Sequence, residues 1–111
     1  MESNRQKKIS RLLQKDLGEI LQQEGRSWFP GALITVTKVQ VTSDLALAKT
    51  YLSIFGKPAP ETLKQVEIHT KEIRHNLGLR VKNQLRHIPD LRFYIDDSLD
   101  YIENIERLLK E

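Results

Sequence analysis

The sequence predicts an α+β fold with element order α-β-β-α-α-β-α and a three-stranded sheet. Three observations carry this expectation. Apolar residues recur at helical spacing near the start and again beyond residue 60. Between those stretches lie two β-branched segments that alternate as strands do, and a proline near residue 89 leads into a third alternating run.

Ile9, Leu12, Leu13, Leu17, Ile20 and Leu21 make one apolar stripe, which predicts a helix over residues 3–24 with Lys and Arg on its other side. The segment Gly25-Arg-Ser-Trp-Phe-Pro-Gly31 has no helical period and is expected to be a loop. Trp28 and Phe29 in it suit a plug over the core better than a base-stacking pair. Residues 33–41 are rich in β-branched side chains, but their apolar parity switches from Ile34 and Val36 to Val39 and Val41. A bulge near Thr37 accounts for that switch. Turn residues follow, then a second strand over residues 46–55, ended by Gly56 and Pro58, so the pair reads as a hairpin.

From residue 60 to 87 the period is helical again, with Leu63, Val66, Ile73, Leu77, Val81, Leu85 and Ile88 near one side. That length predicts a kink or break, either around His69 and Thr70, where the stripe weakens, or at Gly78. Pro89 ends the run. Leu91-Arg-Phe-Tyr-Ile95 is the third strand, and Leu99, Ile102, Ile105, Leu108 and Leu109 predict a short acidic helix capped by Ser98. With no repeat and no linker, residues 1–111 are expected to form a single domain.

Composition narrows the function classes. Of 111 residues, 39% are apolar and 30% charged, enough for both a core and a solvated surface. Cysteine is absent, which excludes disulfides and thiolate chemistry. No apolar run approaches the roughly 20 residues of a membrane span, and the basic N-terminus is not followed by a signal-type apolar core, so a cytoplasmic protein without membrane contact is expected. His69, His75 and His87 are separated by six and twelve positions, not the spacing that chelates a metal from a helix. Asp96, Asp97 and Asp100 suit a solvated strand end better than a carboxylate pair for catalysis or magnesium. No nucleophile elbow or glycine-rich phosphate loop is present. The expectation is no catalytic residue, no metal, no cofactor and no small-molecule substrate.

The charge distribution is the sharpest signal. Net charge is +3 and the pI near 9.3, but Arg5, Lys7, Lys8, Arg11 and Lys15 crowd the first fifteen residues against Glu2. Lys71, Arg74, Arg80, Lys82 and Arg86 face only Glu72 in residues 68–89, while residues 96–111 are acidic. On a helical projection Lys71, His75, Lys82 and Arg86 fall within about 60° of one another, opposite Ile73, Leu77 and Val81. Arg80 and His87 widen that face. An ordinary solvated helix mixes signs. A face with so few acids suits a phosphate backbone, with Arg5, Lys7, Lys8, Arg11, Lys71, Arg74, His75, Arg80, Lys82 and Arg86 as candidate RNA contacts.

Three stretches together resemble the ribosome-binding factor A family of bacterial small-subunit maturation factors. They are Arg5-Gln-Lys-Lys8-Ile9 with Leu17-Gly-Glu-Ile20-Leu21; Val39-Gln-Val-Thr-Ser-Asp44-Leu45-Ala-Leu-Ala48-Lys49-Thr-Tyr51-Leu-Ser53; and Leu85-Arg86-His-Ile-Pro89-Asp90-Leu91-Arg-Phe93 with the flanking Ile73-Arg74, Asp96-Asp-Ser98-Leu99 and Ile105-Glu-Arg-Leu108-Leu109. The resemblance implies a type II KH-like domain and a non-catalytic role in ribosome biogenesis. Its implied partners are the small ribosomal subunit and its rRNA, whose maturation and processing it would assist, acting as a monomer. The Gly-x-x-Gly clamp of ordinary KH domains is missing. The family's Ala-x-Gly kink falls, by counting, on His69-Thr70-Lys71, and the stretch from Arg74 to Leu85 is about two residues longer than is usual in the family. The charged C-terminal extension of some members is not matched, so no role for such a tail is expected. A protein-interaction adaptor with no direct RNA contact is the alternative, the acidic C-terminal helix and the apolar loop being its contact surface.

Overall fold

The computed structural model describes residues 2–96. Its first element, α1 (Asn4–Trp28), begins at a capping box. The Ser3 hydroxyl accepts from the Gln6 backbone N–H at 3.1 Å, and the Ser3 N–H donates to Gln6 Oε1 at 2.8 Å, satisfying helix-end donors that would otherwise be unpaired. The predicted stripe is the buried one, with Leu13, Leu17, Ile20 and Leu21 shut away from solvent. The helix does not stop at residue 24. It runs through Gly25 to Trp28, and the segment expected as a loop contributes a further turn, closed by the Phe29 N–H on Gly25 O at 2.8 Å. Gly25 disfavours this by about 1 kcal/mol. Phe29, buried in the core, and Trp28, packed against it, supply the opposing tertiary contact.

The strands β1 (Leu33–Val41) and β2 (Leu47–Phe55) form the antiparallel hairpin. The register shifts between Val36 and Lys38, so the bulge sits at Thr37 as the parity switch predicts, and Ile34, Val36, Val39 and Val41 all reach the same buried face. At the turn, Asp44 Oδ1 accepts from the Thr42 hydroxyl at 2.7 Å and from the Ala46 N–H at 3.1 Å. These bonds, the Thr42 hydroxyl foremost, hold the Asp44 carboxyl below its ordinary pKa. Leu45 takes the left-handed conformation at φ 61°, an unfavourable one for a branched residue, while its side chain packs on the core.

The long helical run divides into α2 (Ala59–Ile68) and α3 (Thr70–Val81), with His69 shared between them as C-cap and N-cap. The break is therefore at the weak point around His69, and Gly78 lies inside α3, where a Cβ would stand 3.4 Å from Ile88 Cγ1. That is ordinary van der Waals distance, so Gly78 is accommodated in α3 without breaking it. A second difference from expectation is that α3 ends at Val81 and not near residue 87. Gln84 and Leu85 N–H groups both donate to Val81 O, at 2.8 and 2.9 Å, and turn the chain. The cause is topological: β3 (Asp90–Ile95) pairs parallel to β2, starting with Asp90 opposite Leu47, so the chain must leave the helix early enough to return to the start of β2.

The sheet order is β1-β2-β3, and α-β-β-α-α-β is the order of a type II KH-like domain. Helices cover the face bearing Ile34, Val36, Val41, Ala48, Leu52, Leu91 and Phe93. The acidic helix expected over residues 99–109, its Ser98 cap, and Asp97 and Asp100 lie outside the described residues.

β1 is an edge strand, with a row of backbone groups that would otherwise be open. Gln6, Ser10 and Gln14, four residues apart on α1, meet it. Gln6 Nε2 donates to Val41 O at 3.2 Å, the Ser10 hydroxyl accepts from Val41 N–H at 3.3 Å, and Gln14 Nε2 donates to Val36 O and Thr37 O at 3.3 Å. One polar stripe of the helix thus seals much of the strand's outer side.

Among the described residues one buried hydroxyl has no hydrogen-bond partner: Thr50 Oγ1, fully enclosed on the central strand. A buried unpaired hydroxyl costs about 1–3 kcal/mol, and valine has nearly the same shape. Thr50→Val is expected to raise stability by about 1 kcal/mol in urea unfolding with an unchanged m-value. An equal loss would show that the hydroxyl is in use.

Candidate nucleic-acid interface

The candidate cations on α1 follow from its amphipathic burial. With Ile9, Leu13 and Leu17 turned to the sheet, Lys7, Lys8 and Arg11 project to solvent and are exposed. Lys15 and Arg26 fall with them within an arc of about 100°, and Arg5 lies about 60° outside it. Lys15 and Arg26 are not among the candidate contacts chosen from sequence. Lys15 was legible as the i+4 neighbour of Arg11. Arg26 was not, because the predicted helix stopped at residue 24.

Two of the three acids of α1, Asp16 and Glu19, pair with a cation of α3. Arg80 Nη1 on α3 lies 3.4 Å from Asp16 Oδ1 and also pairs with Glu19 Oε2, while Arg80 Nη2 donates to Gln23 Oε1 at 3.0 Å. Arg80 and Asp16 side chains are 27% and 14% exposed, so this cluster is a partly buried seam between α1 and α3. Asp16 is thereby held in the seam, while Glu19, 44% exposed and about 20° from Lys8 and Arg26 on the projection, is paired with Arg80 at the edge of the basic arc.

Arg80 itself is thereby committed to the fold. Arg74 is too: its Nε donates to Pro89 O at 3.2 Å, its Nη2 to Ile88 O at 2.6 Å, and Asp90 Oδ1 stands 3.7 Å away. Those contacts tie the segment that leaves α3 back onto the helix. Of the remaining candidates, Lys71, His75 and Lys82 share an exposed flank of α3 within about 40°, Lys82 being the helical C-cap residue. Arg86 is exposed on the connection beyond the end of α3, so it does not belong to a continuous helical face. Arg80 points about 160° away from the Lys71 flank. The α1 and α3 cations accordingly form two stripes on either side of the seam.

At the junction of α2 and α3, where a KH clamp would carry glycines, the structure places a ring cluster. Trp28 stacks on His69 with centroids 4.5 Å apart and planes 9° from parallel, and Phe29 meets the same imidazole edge-on at 5.9 Å. His69 Nδ1 lies 3.2 Å from Glu72 Oε2. The aromatic pair braces the helix junction, the plug its position predicts. Tyr51 and Tyr94 stack on the opposite face of the sheet, with centroids 5.4 Å apart. No group of His, Asp and Glu among the described residues is arranged to hold a metal, and no described helix is long and apolar enough to cross a membrane.

The family model for ribosome-binding factor A matches residues 5–109. The chain belongs to the ribosome-binding factor A family. Relatives with that name include those of Christiangramia forsetii, 51% identical, and Flavobacterium johnsoniae, 53% identical, each matched over 98% of this chain and 85% of its own length. The crystal structure of a Thermus thermophilus member superposes with a TM-score of 0.73 at 20% identity, covering 84% of this chain and 98% of that one. A homology model of the Thermus thermophilus factor, fitted into an electron-microscopy map of a 30S complex, gives a TM-score of 0.63 at 24% identity, over 77% of this chain and 88% of that one. These structural matches bear on the fold, which the family shares.

The division between structural and free cations is testable by stability alone. Arg80→Ala leaves Asp16 without its partner in the seam and is expected to cost about 1–2 kcal/mol in urea unfolding. Lys71→Ala and Lys82→Ala are expected to stay within about 0.5 kcal/mol of the parent. Equal effects from all three would remove the distinction.

Proposed function

We propose that this chain is a non-catalytic assembly factor that binds the small ribosomal subunit and assists maturation of its rRNA. It acts as a cytoplasmic monomer folded as one domain, without metal, cofactor or small-molecule substrate. Membership of the ribosome-binding factor A family supports this, as does the 30S complex reported for the Thermus thermophilus member. The observation that carries the reading to particular residues is the sorting of charge on α1, whose carboxylates Asp16 and Glu19 pair with Arg80 while Lys7, Lys8, Arg11, Lys15 and Arg26 stay in solvent.

In this reading the α1 stripe, flanked by Arg5, and the stripe of Lys71, His75 and Lys82, extended by Arg86, engage phosphates of folded rRNA. Affinity comes from counterion release, and specificity from the shape of the RNA between two stripes set at a fixed separation by the seam. Arg74 and Arg80 contribute by holding those stripes in place. Nothing in this role requires bond making or breaking: the factor holds an RNA arrangement, and its binding energy favours that arrangement over competing ones.

The test is the salt dependence of binding to purified small subunits. Lys8→Ala, Arg11→Ala, Lys71→Ala and Lys82→Ala are each expected to flatten log affinity against log salt by about 0.7 to 0.9. Triple variants of either stripe (Lys8, Arg11, Lys15 or Lys71, Lys82, Arg86) should lose most affinity at moderate salt while melting like the parent. Lys57→Ala with Lys64→Ala, which lie outside both stripes, is the control for net charge. Folded triple variants with parental affinity and slope would overturn the proposed docking surface and favour a protein-contacting adaptor.

A further inference from the structure

The face of the sheet opposite the helices carries two consecutive cross-strand rows. Lys38, Tyr51 and Tyr94 stand opposite one another across β1, β2 and β3, and Gln40, Lys49 and Arg92 form the next row. Among the described residues no helix lies on these side chains. The two tyrosine rings stack on each other with planes 26° from parallel, and Lys38 Nζ is 5.9 Å from the Tyr51 centroid. Tyr94, on the edge strand, is 37% exposed.

Among the described residues the second row sets like charges side by side, with Glu2 lining the same hollow as Gln40 and Lys49. Lys49 is directly opposite Arg92, and like charges in that relation repel. Neither they nor Lys38 is ion-paired among the described residues, and Asp90, two positions before Arg92 on the same strand, is beside Arg74 instead. An anion seated between Lys49 and Arg92 converts the repulsion into attraction. The exposed Tyr94 ring, backed by Tyr51 and two residues away, about 7 Å along the strands, suits a planar ring attached to that anion. Phosphates that alternate with planar bases are what a single-stranded nucleic acid offers, and the pairing of aromatic platform and cations is how such strands are held without sequence readout.

We propose that this outer sheet face is a second RNA-binding surface, taking single-stranded RNA with a base stacked on Tyr94, which Tyr51 backs, and phosphates on Lys49, Arg92 and Lys38. It rests on the ribosomal reading above for its biological RNA, but its geometry is separate from the helical stripes. A factor built this way grips folded RNA on one side and an unpaired strand on the other.

The test uses the full chain and a fluorescein-labelled adenosine octaribonucleotide, followed by anisotropy across a salt series. Tyr94→Ala is expected to weaken binding about tenfold or more, with the loss persisting at high salt, while Tyr94→Phe binds like the parent. Lys49→Gln with Arg92→Gln should flatten the salt slope by about 0.7 per charge. The same double variant should raise the melting temperature of the free protein by about 1–4 °C, because it relieves the repulsion between the strands. Loss of RNA affinity together with gain of stability is the signature of the site. Parental affinity and slope in both variants would overturn it, as would equal weakening by the Lys57→Gln, Lys64→Gln control. Parental octanucleotide binding together with lost binding of a hexaglutamate peptide would assign the face to an acidic protein segment and overturn the RNA platform. Because the octanucleotide assay needs no ribosome, failure here leaves the small-subunit binding test standing, and failure there leaves this one.

Discussion

The extra residue at Thr37 governs which way every later side chain of β1 points. Strand side chains alternate, so a one-residue offset exchanges the two faces. Without the bulge, Val39 and Val41 would face solvent, and Lys38 and Gln40 would enter the core. The bulge is held from several sides: the Thr37 hydroxyl donates to Asp96 Oδ2 and lies 3.3 Å from Tyr51 O, while Gln14 reaches the Val36 and Thr37 carbonyls from α1. The same offset sets Lys38 opposite Tyr51, so one local irregularity serves both the buried face and the charged outer one.

Charge sorting is the second theme, and it works through packing. Of the basic residues that look alike in sequence, Arg74 and Arg80 are fixed by carbonyls and carboxylates of the chain itself, whereas Lys7, Lys8, Lys71 and Lys82 reach solvent. The guanidinium fork suits the first task, because it can meet two or three acceptors at once. The flexible, strongly hydrated lysine suits the second. Two carboxylates paired with one Arg80 are offset there by its charge, so α1 carries both beside its cationic face.

Periodicity made the element order and the core legible: Ile9 to Leu21, the Thr37 parity switch, and Ile73, Leu77 and Val81 are all where their spacing puts them. Helix ends were not legible, since they are decided by distant contacts. α1 continues past Gly25 because Trp28 and Phe29 find His69 across the fold, and α3 stops at Val81 because Ile88 must reach Gly78 and Asp90 must reach Leu47. For the same reason the proposed basic face changed composition. Arg86 moved from the helix to the connection beyond it, Arg74 and Arg80 were drawn into structural contacts, and Arg26 joined when α1 lengthened. The tyrosine pair was invisible in one dimension because 43 positions separate residues that the parallel pairing makes neighbours.

That parallel pairing also orders events while the chain is being made. The first helix and the hairpin draw on residues 4–55 and can come together early, since their contacts are comparatively local. β2, however, is the middle strand, and its second edge has no partner until residues 90–95 emerge, after both later helices. Through that interval a strand containing Tyr51, Leu52, Ile54 and Phe55 is open to pairing with another nascent chain. The crossover helices thus set a vulnerable period during synthesis, and a slowed translation between residues 56 and 90 would lengthen it.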